Sequence, residues 1–254
     1  MKTNSILNLF FSLGVSFFTC AQVSPDTITD KPKAPIRLNY KQLILPATLI
    51  SYGIVGLESG NIKGFNQEIK EEATEHIDEK ITIDDCSQYL PIASLYGLSA
   101  IGIKGRNSFK DKTILLATSY FLMGFTVNAF KKTARVERPD GSGFNSFPSG
   151  HTATAFMGAE LMYQEYKENS VWYGISGYVV AAGTGAFRMY NNRHWLSDVL
   201  AGAGMGILSA KAAYWLYPIT SKWFSNKQSK NSKTALIPLY DGNNIGFGYL
   251  KSFK

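Results

Sequence analysis

Three polar side chains in the second half of the chain could carry out nucleophilic and acid–base chemistry on a phosphate group. His194 and Asp198 lie four positions apart. On a helical turn this spacing lets the carboxylate hold one imidazole nitrogen and leave the other free to attack. His151, on a separate turn, could protonate the departing oxygen as a general acid. The spacing therefore predicts His194 as nucleophile, Asp198 as its orienting partner and His151 as the acid.

Fixed positive charge for the same phosphate is expected from Lys131, Arg138 and Arg188. An arginine fork can hold two phosphate oxygens at once. Ser149 stands where an N-cap would open a helix, which would leave the backbone amides at Gly150 and the next residue aimed at an anion. A basic cluster beside a membrane often only anchors headgroups, so the conjunction of these residues is what favours phosphoryl chemistry.

Apolar segments that are predicted to be helical separate the residues that must be brought together. Several approach the roughly 20 residues that span a bilayer, and many small residues suit close helix contact. We therefore expect an all-α bundle embedded in a membrane, with a tightly packed soluble bundle as the alternative. The expected helices are Tyr89 to Ile103, Thr113 to Phe130, Thr152 to Tyr166, Val171 to Phe187 and Val199 to Ile219.

An earlier apolar run, Leu43 to Leu57, is short and is broken by Pro46. It is a weak candidate for a full span, and we expect it to be re-entrant, interfacial or packed on the bundle. The basic loop formed by Lys104, Arg106, Lys110 and Lys112 predicts a cytoplasmic side. Alternation of the helices then places the candidate site on the outer face.

The chain divides into four expected parts. Residues 1–21 have the apolar run and small residues of a signal peptide, with an uncleaved anchor helix or a lipoprotein leader at Cys20 as alternatives. Residues 22–42 form a linker, 43–217 the helical domain and 218–254 a basic tail. Within that tail, residues 241–244 separate two apolar runs, which predicts a short β-hairpin.

The motifs resemble the three signature motifs of the type 2 phosphatidic acid phosphatase (PAP2) superfamily, which also includes bacterial acid phosphatases and vanadium haloperoxidases. The resemblance implies an all-helical core, no metal or other cofactor, and a phosphohistidine on His194 oriented by Asp198, with His151 as acid. Phe187 departs from the family, which usually has Ser there, so one hydroxyl contact is missing. The residues that the resemblance places around the phosphate are Lys131, Arg138, Ser149, Gly150 and Arg188.

The net charge of +7 favours anionic partners in general. With the resemblance, we expect a metal-independent phosphatase acting on a lipid phosphate monoester or diphosphate at the periplasmic face of the inner membrane. The expected partners are the lipid and the membrane, not nucleic acid, and the oligomeric state is left open. Candidate substrates by resemblance are phosphatidate, phosphatidylglycerophosphate, undecaprenyl diphosphate and lipid A. The alternatives are a soluble periplasmic acid phosphatase, a vanadium-dependent haloperoxidase and a non-catalytic lipid-binding protein.

Overall fold

The computed structural model describes residues 39–74, 82–224, 234–240 and 245–251 as a helical bundle followed by two strands. All five apolar segments predicted to be helical are helical. The helices are α1 Lys41–Val55, α2 Gly60–Thr74, α3 Ile83–Ser87, α4 Leu90–Ala100, α5 Phe109–Ala134, α6 Gly150–Tyr166, α7 Val171–Tyr190 and α8 Leu196–Phe224.

The C-terminal strands are β1 Thr234–Tyr240 and β2 Ile245–Lys251, which pair antiparallel. Residues 241–244 lie outside the described residues, so the hairpin stays a prediction. The expected leader and most of the expected linker also lie outside them. The expected boundary at residue 217 falls inside α8, which continues through Pro218, and the division into four parts stays a prediction.

The core of the bundle is α6, which packs against α7 on one side and α8 on another. Most of its residues are buried, from Thr152 through Tyr166. Its backbone approaches α8 closely because α8 is rich in small residues. A Cβ added at Gly206 would clash with the carbonyl oxygen of Ala153. Such contacts confirm the expectation that small residues allow close helix packing.

Two of the described helices, α5 and α8, are long and apolar enough to cross a membrane. The face of α5 that points away from the bundle exposes Phe121 and Phe125, at 73% and 70%. Exposed rings on a spanning helix fit a lipid environment better than water. α1 packs against α8, where a Cβ on Gly53 would lie 2.5 Å from the Cβ of Ala201. α1 and α2 are bent by 95° relative to each other, and they could form a third span only if both belong to one broken membrane segment.

The two ends of α5 carry charges with different surroundings. Lys131 is near its C-terminal end and Lys112 near its N-terminal end, about 30 Å apart at 1.5 Å per residue. The prediction that Lys112 belongs to a basic loop is wrong, because the residue lies on α5 and its side chain is only 3% exposed. Its Nζ donates to Ser99 Oγ at 2.6 Å and to Tyr166 OH at 3.1 Å. Lys112 therefore adds nothing to the surface charge there.

Candidate active site

His194 and Asp198 meet at the start of α8, where both are buried. The prediction placed them on one helical turn, but α8 begins at Leu196, so His194 precedes the helix. Asp198 reaches back in the manner of a capping box, and its Oδ2 accepts the Trp195 backbone N–H at 2.9 Å. The same oxygen lies 3.5 Å from His194 Nδ1. The helix start therefore fixes the carboxylate beside the imidazole.

A further donor to this carboxylate was missed by sequence reasoning. The buried Ser146 hydroxyl donates to Asp198 Oδ2 and lies 3.4 Å from His194 Nδ1. Its backbone N–H also donates to the Val136 carbonyl at 3.0 Å, which fixes the loop before Pro148. Ser146 is one of many serines in the chain, and its position two residues before a proline gave no signal. Three donors thus converge on one oxygen of Asp198.

The surroundings of His194 keep its imidazole neutral. Burial lowers the pKa of His194 to about 4, and the Asp198 carboxylate opposes part of that effect. Assigning the Nδ1 proton to the side facing Asp198 leaves a lone pair on Nε2. A neutral imidazole with a free Nε2 is the form that can attack phosphorus.

A polar pocket of about 330 Å³ adjoins this pair without being lined by it, because the His194 N–H donates to the carbonyl of Arg188, one of the lining residues, at 3.3 Å. It brings together Arg138, His151 and Arg188, which come from three separate parts of the sequence. The pocket therefore unites a candidate acid with two cations of the predicted phosphate site. The remaining lining residues, none of them predicted, are Thr82, Asp84, Asp85, Asn191 and Arg193.

Arg188 is held in the pocket by a buried carboxylate. Its Nη1 donates to Asp84 Oδ2, and Asn191 Nδ2 donates to Asp84 Oδ1 at 2.8 Å. Asp84 is only 1% exposed. Arg188 Nε is buried and has no hydrogen-bond partner among the described residues. Asp84 therefore orients the guanidinium and leaves one N–H free for a ligand.

His151 lies in the first turn of α6 and pairs with a second aspartate. Its Nε2 is 3.0 Å from Asp85 Oδ1. Burial and the nearby Arg188 lower the pKa of His151, and the hydrogen bond to Asp85 opposes them. The imidazole is therefore close to a group that favours its protonated form, as a general acid requires.

Lys131 and Arg138 are linked through Asn145, another residue that was not predicted. Lys131 Nζ donates to the backbone carbonyl of Asn145, and Arg138 Nε donates to its side-chain oxygen at 2.8 Å. Arg193 Nη1 lies 3.1 Å from Asp140 Oδ2 in the same loop region. The loop between α5 and α6 thus gathers the basic side chains.

Ser149 is the N-cap of α6, as predicted, and its side chain accepts the Thr152 N–H. Its own N–H donates to the Asp198 carbonyl at 3.0 Å, which ties the first turn of α6 to α8. A Cβ at Gly202 would lie 2.5 Å from the Ser149 carbonyl oxygen. A Cβ at Gly150 would meet no described atom within 4 Å, so the helix start is open on that side.

Phe187, which stands where a Ser was expected, packs its ring edge against Tyr190 with 6.1 Å between ring centroids. It therefore contributes an aromatic contact in place of a hydroxyl.

The ligand atoms of Asp84, Asp85 and His151 lie within 4.8 Å of one another, a spacing that a metal ion could bridge. Both oxygens of Asp84 already accept hydrogen bonds from Arg188 and Asn191. Two further arginines line the same pocket. A cation would have to break these pairs and approach several like charges, so the group does not fit a resident metal.

Comparison with known sequences and structures shows what the chain is similar to. Residues 112–222 match the PAP2 superfamily. Over 169 residues the chain is 41% identical to the lipid A 1-phosphatase of Porphyromonas gingivalis, covering 63% of this chain and 38% of that protein. Over 74 residues it is 36% identical to the bacitracin transport permease protein BcrC of Bacillus licheniformis, covering 29% of this chain and 34% of that protein. The chain thus spans little more than a third of the length of these curated relatives.

Among solved structures, the crystal structure of Aquifex aeolicus LpxE aligns with a TM-score of 0.48 and 21% identity. The alignment covers 59% of this chain and 94% of that chain.

Proposed function

We propose that the protein is a phosphatase of the PAP2 superfamily, which residues 112–222 match, and that it removes phosphate from a lipid-linked monoester or diphosphate through a phosphohistidine. The observation that carries the proposal is that the pocket holding His151 and Arg188 adjoins the buried Asp198–His194 pair, since the His194 N–H donates to the Arg188 carbonyl at 3.3 Å. A nucleophile, an acid and a cation with a free N–H are the parts that phosphoryl transfer needs.

In the first step, the lone pair of His194 Nε2 forms a bond to phosphorus while the bond from phosphorus to the leaving oxygen breaks. His151 gives its proton to that oxygen, and the leaving group departs, which is an alcohol from a monoester or a lipid phosphate from a diphosphate. Asp198 stabilises the positive charge that develops on the His194 imidazole, since its Oδ2 faces Nδ1 at 3.5 Å. Arg188 and Arg138 offset the charge on the phosphoryl oxygens.

In the second step, a water molecule attacks phosphorus from the side that the leaving group has vacated. His151, now neutral, accepts a proton from that water, and the bond between phosphorus and His194 breaks. Inorganic phosphate is released and both histidines return to their starting forms. The roles of His151 reverse between the two steps, as general acid and then general base.

A lipid substrate is supported by the exposed rings of α5 and by the two helices that can cross a membrane. The relative from P. gingivalis favours a lipid A type of phosphate, and this chain would then act on a glycolipid. Exposed Lys104 and Lys110, at the end of α5 opposite the site, favour a cytoplasmic position for that end. The site would then face the periplasm from the inner membrane.

The test is phosphate release by purified full-length protein in detergent, with a chelator present. Substrates are phosphatidate, phosphatidylglycerophosphate, undecaprenyl diphosphate, lipid A and a soluble aryl phosphate. The matched control for His194→Ala is His76→Ala, because His76 is the one of the chain's three histidines to which the mechanism gives no role. We expect release from lipids in the wild type and the His76 variant and none in the His194 variant. Release from the soluble ester alone would overturn the lipid assignment.

A further inference from the structure

Asp85 is placed to control which leaving group the site accepts. We propose that Asp85 is both the positioning residue for His151 and the residue that selects a lipid-linked monoester over a diphosphate, by repelling a negatively charged leaving group. This inference rests on the proposed function. It names the substrate class of the same site and assigns a role to a residue that the resemblance did not cover.

Neighbouring aspartates on α3 have opposite environments. Asp84 is 1% exposed, and both its oxygens are occupied by Arg188 and Asn191. The Asp85 side chain is 60% exposed and lines the pocket, with its Oδ1 3.0 Å from His151 Nε2. It is 3.9 Å from Arg188 Nη1, whose closer partner is Asp84. The charge of Asp85 therefore faces whatever enters the pocket.

The chemistry decides which part of the substrate meets that charge. In an in-line displacement the leaving oxygen departs on the side of phosphorus opposite the nucleophile. His194 holds one side, so the acid His151 must contact the leaving oxygen on the other. His151 Nε2 faces Asp85, so the other ring nitrogen faces the leaving oxygen, and the Asp85 carboxylate lies about 8 Å from that oxygen, two hydrogen-bond lengths plus the width of the ring. Asp85 is thus on the leaving-group side.

The two substrate types place different demands on that side. A monoester expels an alkoxide, which is strongly basic and needs the proton that a well-positioned His151 supplies. A lipid diphosphate expels a lipid phosphate, which is stable as an anion and needs little acid assistance. Its charge is repelled by Asp85 at this distance. A sugar leaving group could instead donate hydroxyl hydrogen bonds to the exposed carboxylate. Asp85 therefore favours monoesters, including sugar phosphates.

Other charged groups face the same pocket and must be held constant. Arg138, Arg188 and Arg193 line it and attract either substrate, and Asp84 is neutralised by its pairs. A substitution at Asp85 alone leaves all of them in place. The ratio of the two activities, measured on one variant, then isolates the effect of Asp85.

The experiment compares kcat/KM for dodecyl phosphate and dodecyl diphosphate, which share one alkyl chain, in detergent with a chelator. Variants are Asp85→Asn and Asp85→Glu, with Glu72→Gln as a matched control, an exposed carboxylate on α2. For Asp85→Asn we expect the monoester value to fall about tenfold and the diphosphate value to rise about threefold or more. Asp85→Glu keeps the charge and should keep the diphosphate value low. Glu72→Gln should match the wild type on both.

Opposite changes for the two substrates support the inference, because a purely structural defect lowers both in parallel. Parallel loss in Asp85→Asn, or an unchanged ratio, overturns it while the proposed function stands. If wild type and Glu72→Gln release phosphate from neither substrate, the proposed function fails and the inference falls with it. Thermal unfolding of each variant separates a folding defect from a change at the site.

Discussion

The two ends of α6 are both polar and buried, yet they are built differently. At the site end, Arg188 Nε and Asp198 Oδ1 are buried without hydrogen-bond partners among the described residues. At the far end, the carboxylates of Glu160 and Glu165 each accept hydrogen bonds from several donors. We call this second region the polar network, comprising Glu160, Glu165, Lys112, Lys211 and their hydrogen-bond partners.

The contacts of the polar network show how completely its carboxylates are satisfied. Glu160 accepts from Lys211 Nζ and from Gln164 Nε2, both at 2.6 Å, and from the Tyr178 hydroxyl. Glu165 accepts from the Asn107 backbone N–H at 2.8 Å and from the Tyr214 hydroxyl at 2.6 Å. Satisfied buried groups rigidify a fold, whereas a buried donor without a partner, such as the N–H at Arg188 Nε, is where an anionic ligand can bind. The comparison thus assigns stability to one end and chemistry to the other.

The largest effect is expected from a substitution that removes a catalytic group at the site end and leaves the polar network intact. His194→Ala removes the nucleophile, so kcat for a lipid phosphate should fall by at least about 10⁴-fold. The free energy of unfolding should change little in comparison, because the imidazole does not hold the bundle together. Steady-state kinetics and thermal unfolding on the same preparation check both statements. Near-normal turnover in this variant would contradict the covalent mechanism.

A substitution in the polar network should instead lower the stability of the protein and leave its chemistry intact. Lys211→Met leaves Glu160 without its ion-pair partner at a position that is 2% exposed. Breaking a buried pair in this way should lower the free energy of unfolding by about 3 kcal/mol. Below the unfolding temperature, kcat should stay within about a factor of two, and Lys211→Arg should retain most of the stability. A loss of activity without a loss of stability would contradict the assignment of stability to the polar network and of chemistry to the site end.

A smaller effect is expected from the close contact between α8 and the first turn of α6. Gly202→Ala would put a Cβ 2.5 Å from the Ser149 carbonyl, which would displace the first turn of α6 at a cost of about 1–3 kcal/mol. Activity should fall about tenfold, since Ser149 is tied to Asp198. The matched control is Gly183→Ala on α7, where an added Cβ meets nothing within 4 Å. Equal behaviour of the two variants would show that the contact is unimportant.

The pH dependence of kcat/KM should sharpen the contrast further. The reaction needs neutral His194, whose pKa is about 4, and protonated His151, whose pKa is lowered below its usual 6.5. Activity should therefore rise as pH increases through about 4 and fall as pH increases through the pKa of His151. A bell with an acidic optimum follows. In His151→Ala the alkaline limb should disappear, and its persistence would assign that limb to another group.

The helical architecture could be predicted because apolar periodicity and length fix it locally. Each expected helix is present, and the N-cap at Ser149 follows from residue type alone. The prediction for Lys112 was wrong because counting the charges of a basic segment takes every lysine in it to be exposed. Its burial depends on Ser99 and Tyr166, which lie on two other helices. No pattern within one segment reports such a contact.

The residues of the site divide in the same way. His151, Arg188 and His194 could be predicted because the chain has three histidines and because Arg188, His194 and Asp198 follow one another within eleven positions. Asp84 and Asp85 could not, because acidic residues are common and only the fold brings α3 to Arg188 and His151. Ser146 and Asn145 act through loop geometry that has no sequence signature. Partners that position a catalytic group therefore need the three-dimensional structure.

The most direct test of the central claim is to trap the covalent intermediate. Wild-type protein is mixed with radiolabelled dodecyl phosphate, quenched in alkali within a single turnover and digested, and the labelled peptide is sequenced by mass spectrometry. The account predicts label on His194, stable in alkali and lost in acid as for a phosphohistidine, and none in His194→Ala. Normal turnover with label on another residue, or with no label on protein, would contradict it.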